Sequence, residues 1–185
     1  LLPNTIVKAL IDARPTQRKE RIMFRNILVA VDGSTHADQA LTQAIDLAQA
    51  EHARLTLMTA VVGPPAIAYL GAVGEAVGTL SQDVEAAAQA VLQRARDRVP
   101  SDVSVTTVLT HEPIATALIR QAIDGRHDLV VMGSRGRGPV RSALLGSASH
   151  HVLHHCPVPI LIVHAESPSQ HDSSASVTAE LEPVE

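Results

Sequence analysis

The sequence predicts an α/β fold, an open doubly wound sheet of five parallel strands in a single domain. Five short apolar runs are spaced along the chain, at Ile27 to Val31, Leu55 to Val62, Val103 to Leu109, Leu129 to Met132 and Val158 to Val163. The first, fourth and fifth are nearly continuous in Val, Ile and Leu, as strands covered on both faces require. Between the runs, apolar residues recur at spacings of three and four, the period of a helix with one buried face. Strand and helix therefore alternate as β-α-β-α-β-α-β-α-β, an order that calls for right-handed crossovers and places ligands beyond the carboxyl ends of the strands.

In chain order, the first run leads to Asp32-Gly33-Ser34, where Ser34 or Thr35 can cap a helix whose inward stripe is Ala37, Ala40, Leu41, Ala44, Ile45 and Ala48. After the second run, residues 63 to 79 carry Gly63-Pro64-Pro65, Gly71, Gly74 and Gly78 and read as a long connection, a candidate lid. The next helical stripe is Val84, Ala87, Ala88, Val91, Leu92 and Ala95. In the third run Val103, Val105 and Thr107 alternate incompletely with polar neighbours, which predicts shallower burial. A third helix starts near Glu112, with Pro113 in its first turn, and a fourth near Gly146 and Ser147. Residues 1–24 form an N-terminal extension outside the repeating pattern, residues 25–164 the folded domain, and residues 165–185, rich in Ser, Glu and Pro, a tail expected to be disordered.

Composition narrows the partners. Trp is absent and Tyr69 and Phe24 are the only Tyr and Phe, so no aromatic platform for single-stranded nucleic acid is present. With 15 Lys plus Arg against 19 Asp plus Glu, the net charge of -4 gives no general attraction to phosphate backbones or anionic lipid. Any anion site has to be local. Cys156 is the single cysteine, which excludes an intrachain disulfide and fits a reducing cytoplasm. No apolar run approaches the roughly 20 residues of a membrane span. Neither nucleic acid nor membrane is an expected partner.

The fourth run ends at Met132 and passes into Gly133-Ser134-Arg135-Gly136, followed after nine residues by Gly146-Ser147. Glycines at a strand exit let backbone N–H groups approach an anion, and a helix beginning at Ser147 adds its own N–H groups and positive dipole end. Two anion-binding turns at opposite ends of one loop suit a polyphosphate. Arg135, Arg137 and Arg141 lie between them, where screening of phosphate and simple solvation are both open. The loop lacks the Gly-Lys-Ser/Thr of a P-loop and does not follow the first strand, as a dinucleotide fingerprint does. On these residues alone, phosphate binding and a purely conformational use of the glycines stand side by side.

The spacing Gly133-x-x-Gly136-x9-Gly146-Ser147 resembles the motif of the ATP-binding branch of the universal stress proteins. The flanks agree: Asn26 to Ser34 is similar to that family's first strand, Asp128 to Ser134 to its fourth, and Cys156 to Val163 to its fifth. The resemblance implies a Rossmann-like fold of the adenine nucleotide alpha hydrolase type, with ATP bound and Mg²⁺ held through its phosphates. It implies phosphate contacts from Gly133, Gly136 and Ser147, with Arg135, Gly146, Ala148 and Ser149 nearby, and a first-strand end of Ala30, Val31 and Asp32, where Asp32 faces the sugar. Ala60 matches a backbone contact to adenine, and Met132 is placed to pack against the base. The resemblance further implies a homodimer joined through Val158 to Val163, an apolar edge that would otherwise invite aggregation.

Other residues invite chemistry without completing it. His150, His151, His154 and His155 form pairs four apart on the last helix, a spacing that can chelate a metal. No carboxylate or third ligand follows at a fixed spacing, so the expected reading is a solvated, pH-sensitive helical face, with no direct metal site. Cys156 sits at a helix end whose dipole raises a thiol pKa, a structural position. Asp32 also has an ordinary use, since Asp-Gly after a strand makes a turn. No Gly-x-Ser-x-Gly elbow is present, and no catalytic residues are assigned. The expected function is an ATP-binding sensor or regulator of the stress response, whose occupancy changes a loop and the surface shown to an unknown regulatory partner. A slow ATPase, and a dimeric adaptor without nucleotide, are the alternatives.

Overall fold

Ile27, Leu28 and Val29 lie at the centre of the molecule with no measurable exposure, because the strand they form has a neighbour on each side and helices on both faces. The computed structural model describes residues 7–8, 23–61, 75–136 and 145–165. The strands are β1 (Val7–Lys8), β2 (Asn26–Ala30), β3 (Arg54–Ala60), β4 (Val105–Thr110), β5 (Leu129–Gly133) and β6 (Ile160–Val163). The helices are α1 (Thr35–Glu51), α2 (Glu75–Asp97), α3 (Ile114–Asp124) and α4 (Ser147–His155). The sheet order is β1-β6-β5-β2-β3-β4, with β2 to β6 parallel to one another, as the alternating pattern predicts.

One strand was not foreseen. Val7 and Lys8 pair antiparallel with Leu161 and Ile160, so part of the N-terminal extension joins the sheet. A two-residue strand carries no period for a sequence to display. Its position matters for the expected dimer, because it covers part of the outer edge of β6.

Two aliphatic layers sandwich the sheet. On one face α1 and α2 bring Leu41, Ile45, Val91 and Leu92 against Ile27, Val29, Leu55 and Leu57; on the other, α3 and α4 bring Leu118 and Val152 against Leu28, Val130 and Met132. All six residues of the predicted α1 stripe are buried. Ser34 caps that helix as expected, its Oγ accepting from the N–H of Ala37 at 3.2 Å. Pro113 is the N-cap of α3 and stands just before its first turn.

The α2 stripe is buried only from Ala88 onward; Val84 is half-buried and Ala87 exposed. A helix of 23 residues is about 35 Å long. The adjoining strand of 7 residues covers only about 23 Å. The helix is therefore longer than the strand it packs on. It begins at Glu75, so the last residues of the predicted 63–79 connection are helical; residues 62–74 lie outside the described residues, as do 137–144 and the tail from 166. The edge strand β4 is half exposed, in line with its mixed sequence. No described helix is long and apolar enough to cross a membrane.

Candidate functional site

The sheet order reverses between β2 and β5: the chain proceeds from β2 to β3 and β4 on one side, then to β5 and β6 on the other. The helices leaving β2 and β5 diverge to opposite faces, which opens a crevice beyond the carboxyl ends of these two strands. Asp32 follows β2 and the glycine loop follows β5, so topology brings together two segments about a hundred residues apart.

On the β2 side, the N–H of Val31 donates to the carbonyl of Met58 at 2.9 Å, extending the sheet contact one residue past the strand. Gly33 then takes φ of 76°, and the N–H of Ser34 donates to Asp32 Oδ1 at 2.9 Å. This is the Asp-Gly turn read from the sequence, and it fixes the half-buried carboxylate. Its second oxygen reaches the other segment: a Cβ placed on Gly136 would lie 2.5 Å from Asp32 Oδ2. A side chain at this position would displace the Asp32 carboxylate.

On the β5 side, Gly133 packs on the first turn of α1, where an added Cβ would stand 2.8 Å from the carbonyl carbon of His36 and 2.9 Å from the nitrogen of Ala37. The N–H of Ser134 donates to the carbonyl of Val163 at 2.8 Å, and the carbonyl of Ser134 accepts from the N–H of Gly146 at 2.7 Å. Sequence spacing puts Gly133-x-x-Gly136 and Gly146-Ser147 at opposite ends of a loop; in the fold this bond closes the loop and sets the two turns side by side. An anion held there meets both turns over a short span.

Gly146 is the N-cap of α4 and contributes no side-chain bond to the helix start. Ser147 is exposed at the first helical position and Ala148 is half-buried. An uncapped start with N–H groups and the positive dipole end suits an anion. Ser149 differs, for it is buried and its hydroxyl donates to the carbonyl of Gly133 at 2.9 Å, tying α4 to the end of β5. Ser134 is fully buried with no hydrogen-bond partner for Oγ among the described residues.

Ala30 and Ala60 are half-buried at the ends of β2 and β3, and Val31 is buried between them. Met132, 4% exposed, packs with Leu28, Met58 and Val152, so its side chain belongs mainly to the core. Arg135 is half-buried beside the loop, whereas Arg137 and Arg141 lie outside the described residues. Two residues at this end were not singled out in the sequence. Burial lowers the pKa of His36, with Arg135 and His164 reinforcing the shift and Asp32 opposing it. His36 and His164 reach the site through tertiary packing, which no spacing motif encodes. A cavity of about 240 Å³ lies elsewhere, at the amino ends of the strands among Gln49, His52, Arg54 and Asp102. It contains none of the predicted site residues.

Comparison with known proteins supplies independent information. The family model described as "Universal stress protein family" matches residues 23–164. The Thermus aquaticus protein called "Universal stress protein in QAH/OAS sulfhydrylase 3'region" is 36% identical over 147 residues, spanning 76% of this chain and 99% of its own. Among solved structures, the universal stress protein UspA from Lactobacillus plantarum superposes with a TM-score of 0.63 at 25% identity, over 77% of this chain and 99% of the other. A universal stress protein solved in complex with cAMP matches with a TM-score of 0.58 at 26% identity, over 77% and 98% of the two chains.

Proposed function

The chain belongs to the universal stress protein family, and from that premise we propose that it is an adenine-nucleotide-binding regulator acting in the cytoplasm, with ATP as the nucleotide. The observation that carries this reading is the close approach of Gly136 to the Asp32 carboxylate, beside the bond that brings Gly146 to Ser134 at the uncapped start of α4. This arrangement brings a carboxylate, two glycine turns and a helix start together at the strand ends, which suits a sugar and phosphates. The relative bound to cAMP supports an adenine nucleotide as the ligand class.

In this reading Asp32 faces the sugar and Ala60 offers its backbone to the adenine, with Ala30 and Val31 forming the floor. Gly133, Gly136, Gly146, Ser147 and Ala148 surround the phosphates, with Arg135 beside them. Ser149 holds the frame through the carbonyl of Gly133. ATP supplies a triphosphate that brings Mg²⁺ with it, and the residues of this chain bind and orient. Occupancy then alters the loop and the surface offered to a regulatory partner. Pairing of two chains along β6 completes the proposal, with β1 beside half of that edge.

Equilibrium titration with ATP, AMP and cAMP tests the reading, using wild type and the Gly136→Ala and Gly146→Ala variants. The expected result is saturable ATP binding that Gly136→Ala weakens about tenfold or more, a loss of about 1.4 kcal/mol. ATP affinity unchanged in both variants would rule out this site. Sedimentation showing a monomer at micromolar concentration would remove the dimer.

A further inference from the structure

The four histidines of α4 separate into two pairs on its exposed side. The ring centroids of His150 and His154 are 4.5 Å apart with planes inclined at 53°, and those of His151 and His155 are 4.3 Å apart with planes at 23°. All four side chains are exposed, while Val152 between them is buried against the sheet and holds the helix in one rotation. The pairs therefore share a surface and are not exchanged by rolling of the helix.

Nδ1 of His155 lies 2.8 Å from the carbonyl oxygen of His151. A carbonyl only accepts, so this bond places the ring proton on Nδ1 and leaves the lone pair on Nε2. An imidazole whose one nitrogen donates to a backbone carbonyl while the other stays unprotonated is arranged as a metal ligand. His154 and His155 also occupy the last turn of α4, where the negative end of the helix dipole favours a cation.

We propose that this face of α4 chelates divalent transition ions of the zinc, nickel and copper class, each histidine pair supplying two nitrogens and water the remaining ligands. Imidazole selects that class over magnesium and calcium, which take oxygen donors. Among the described residues no group of three or more His, Cys, Asp or Glu side chains gathers around one point. Each pair is accordingly an open, two-nitrogen site with coordination positions left over, not a closed structural cage. Binding strength comes from tying two ligands to one rigid helix, which makes the second ligation intramolecular. The rings must turn from their stacked positions to place both Nε2 atoms about 2.0–2.1 Å from the ion, His155 pivoting about or giving up its bond to the His151 carbonyl. Their exposure leaves them room to do so. His150 lies one turn from Ser147 and its backbone N–H bonds to the carbonyl of Gly146, but the proposed ligation uses imidazole nitrogens alone and does not depend on the nucleotide reading.

The experiment is calorimetric titration of the full chain with Zn²⁺, together with the electron paramagnetic resonance spectrum of bound Cu²⁺. The variants are His150→Gln with His154→Gln, His151→Gln with His155→Gln, all four together, and each single change; far-ultraviolet circular dichroism confirms that they fold. Each double variant is expected to lose one binding event and the quadruple both. A single change should weaken its pair's site about a hundredfold, the order of the advantage of linked ligands. The Cu²⁺ spectrum should show coupling to imidazole nitrogens that disappears in the quadruple variant. Wild-type binding retained in the quadruple variant would overturn the proposal. So would single variants that bind as tightly as wild type, which would mean isolated, monodentate histidines.

Discussion

The two ends of the parallel sheet each carry an aspartate beside a strand, and the two carboxylates have different employment. At the amino end, Asp128 accepts from the N–H of Arg25 at 2.7 Å and from that of Asn26 at 3.1 Å, about a hundred residues away in sequence. Asn26 in turn donates through Nδ2 to the carbonyls of Gly125 and Arg126. That end is sewn into the protein's own backbone. At the carboxyl end, Asp32 bonds the N–H of Ser34 two residues on and turns its other oxygen toward Gly136 across the crevice. One carboxylate clasps distant backbone, whereas the other is set on a short local turn at the crevice.

Substitutions at the two ends test this contrast. The largest effect is expected from Gly133→Ala, which drives a Cβ into the backbone of His36 and Ala37. Overpacking against backbone should destabilise by about 3 kcal/mol in urea unfolding, showing that one residue of the ligand end is also structural. Asp128→Ala leaves two strand-edge N–H groups without their acceptor and should cost about 2 kcal/mol, while ATP affinity of the folded protein stays as in wild type. An affinity loss there would dissolve the division between the two ends. Gly136→Ala should do the reverse, weakening ATP about tenfold with a thermal midpoint within a few degrees of wild type. Ser149→Ala removes one buried hydroxyl bond to Gly133 and should lower stability by about 1 kcal/mol.

The smallest effect concerns His127, which is buried at the amino end. Burial lowers its pKa from the ordinary 6.5; a backbone bond to Asn26 and the Asp128 charge oppose this, and Arg54 adds to it. The unfolded chain therefore takes up this proton at a higher pH than the folded one. Its contribution to stability is complete above pH 6.5 and is lost as pH falls below that value, until the folded pKa is passed. Thermal midpoints across this range should fall less steeply for His127→Gln than for wild type. Parallel curves would remove His127 from the balance.

Much of the fold was legible because its elements announce themselves through period. The α1 stripe from Ala37 to Ala48 repeats like a helix, and β2 and β5 are continuous aliphatic runs with Asp32 or Gly133 at their ends. Ser34 was readable as a cap because capping is local chemistry. What escaped depends on contacts between distant segments. Val7 and Lys8 become a strand only because β6 offers an edge. His36 and His164 share the electrostatics of one site although well over a hundred residues separate them. The third class of difference is causal: Cys156 has a raised pKa, as its place at a helix end suggested, with burial as the leading cause.

The bond from the N–H of Gly146 to the carbonyl of Ser134 has a consequence in polymer terms. It brings the two ends of the intervening chain together at the end of β5. Lengthening such a tether costs only about 0.6 kcal/mol for each doubling. Residues between Gly136 and Gly146 can therefore be inserted, deleted or exchanged with little change to the frame on either side. The segment is a natural place to vary length or to graft a reporter.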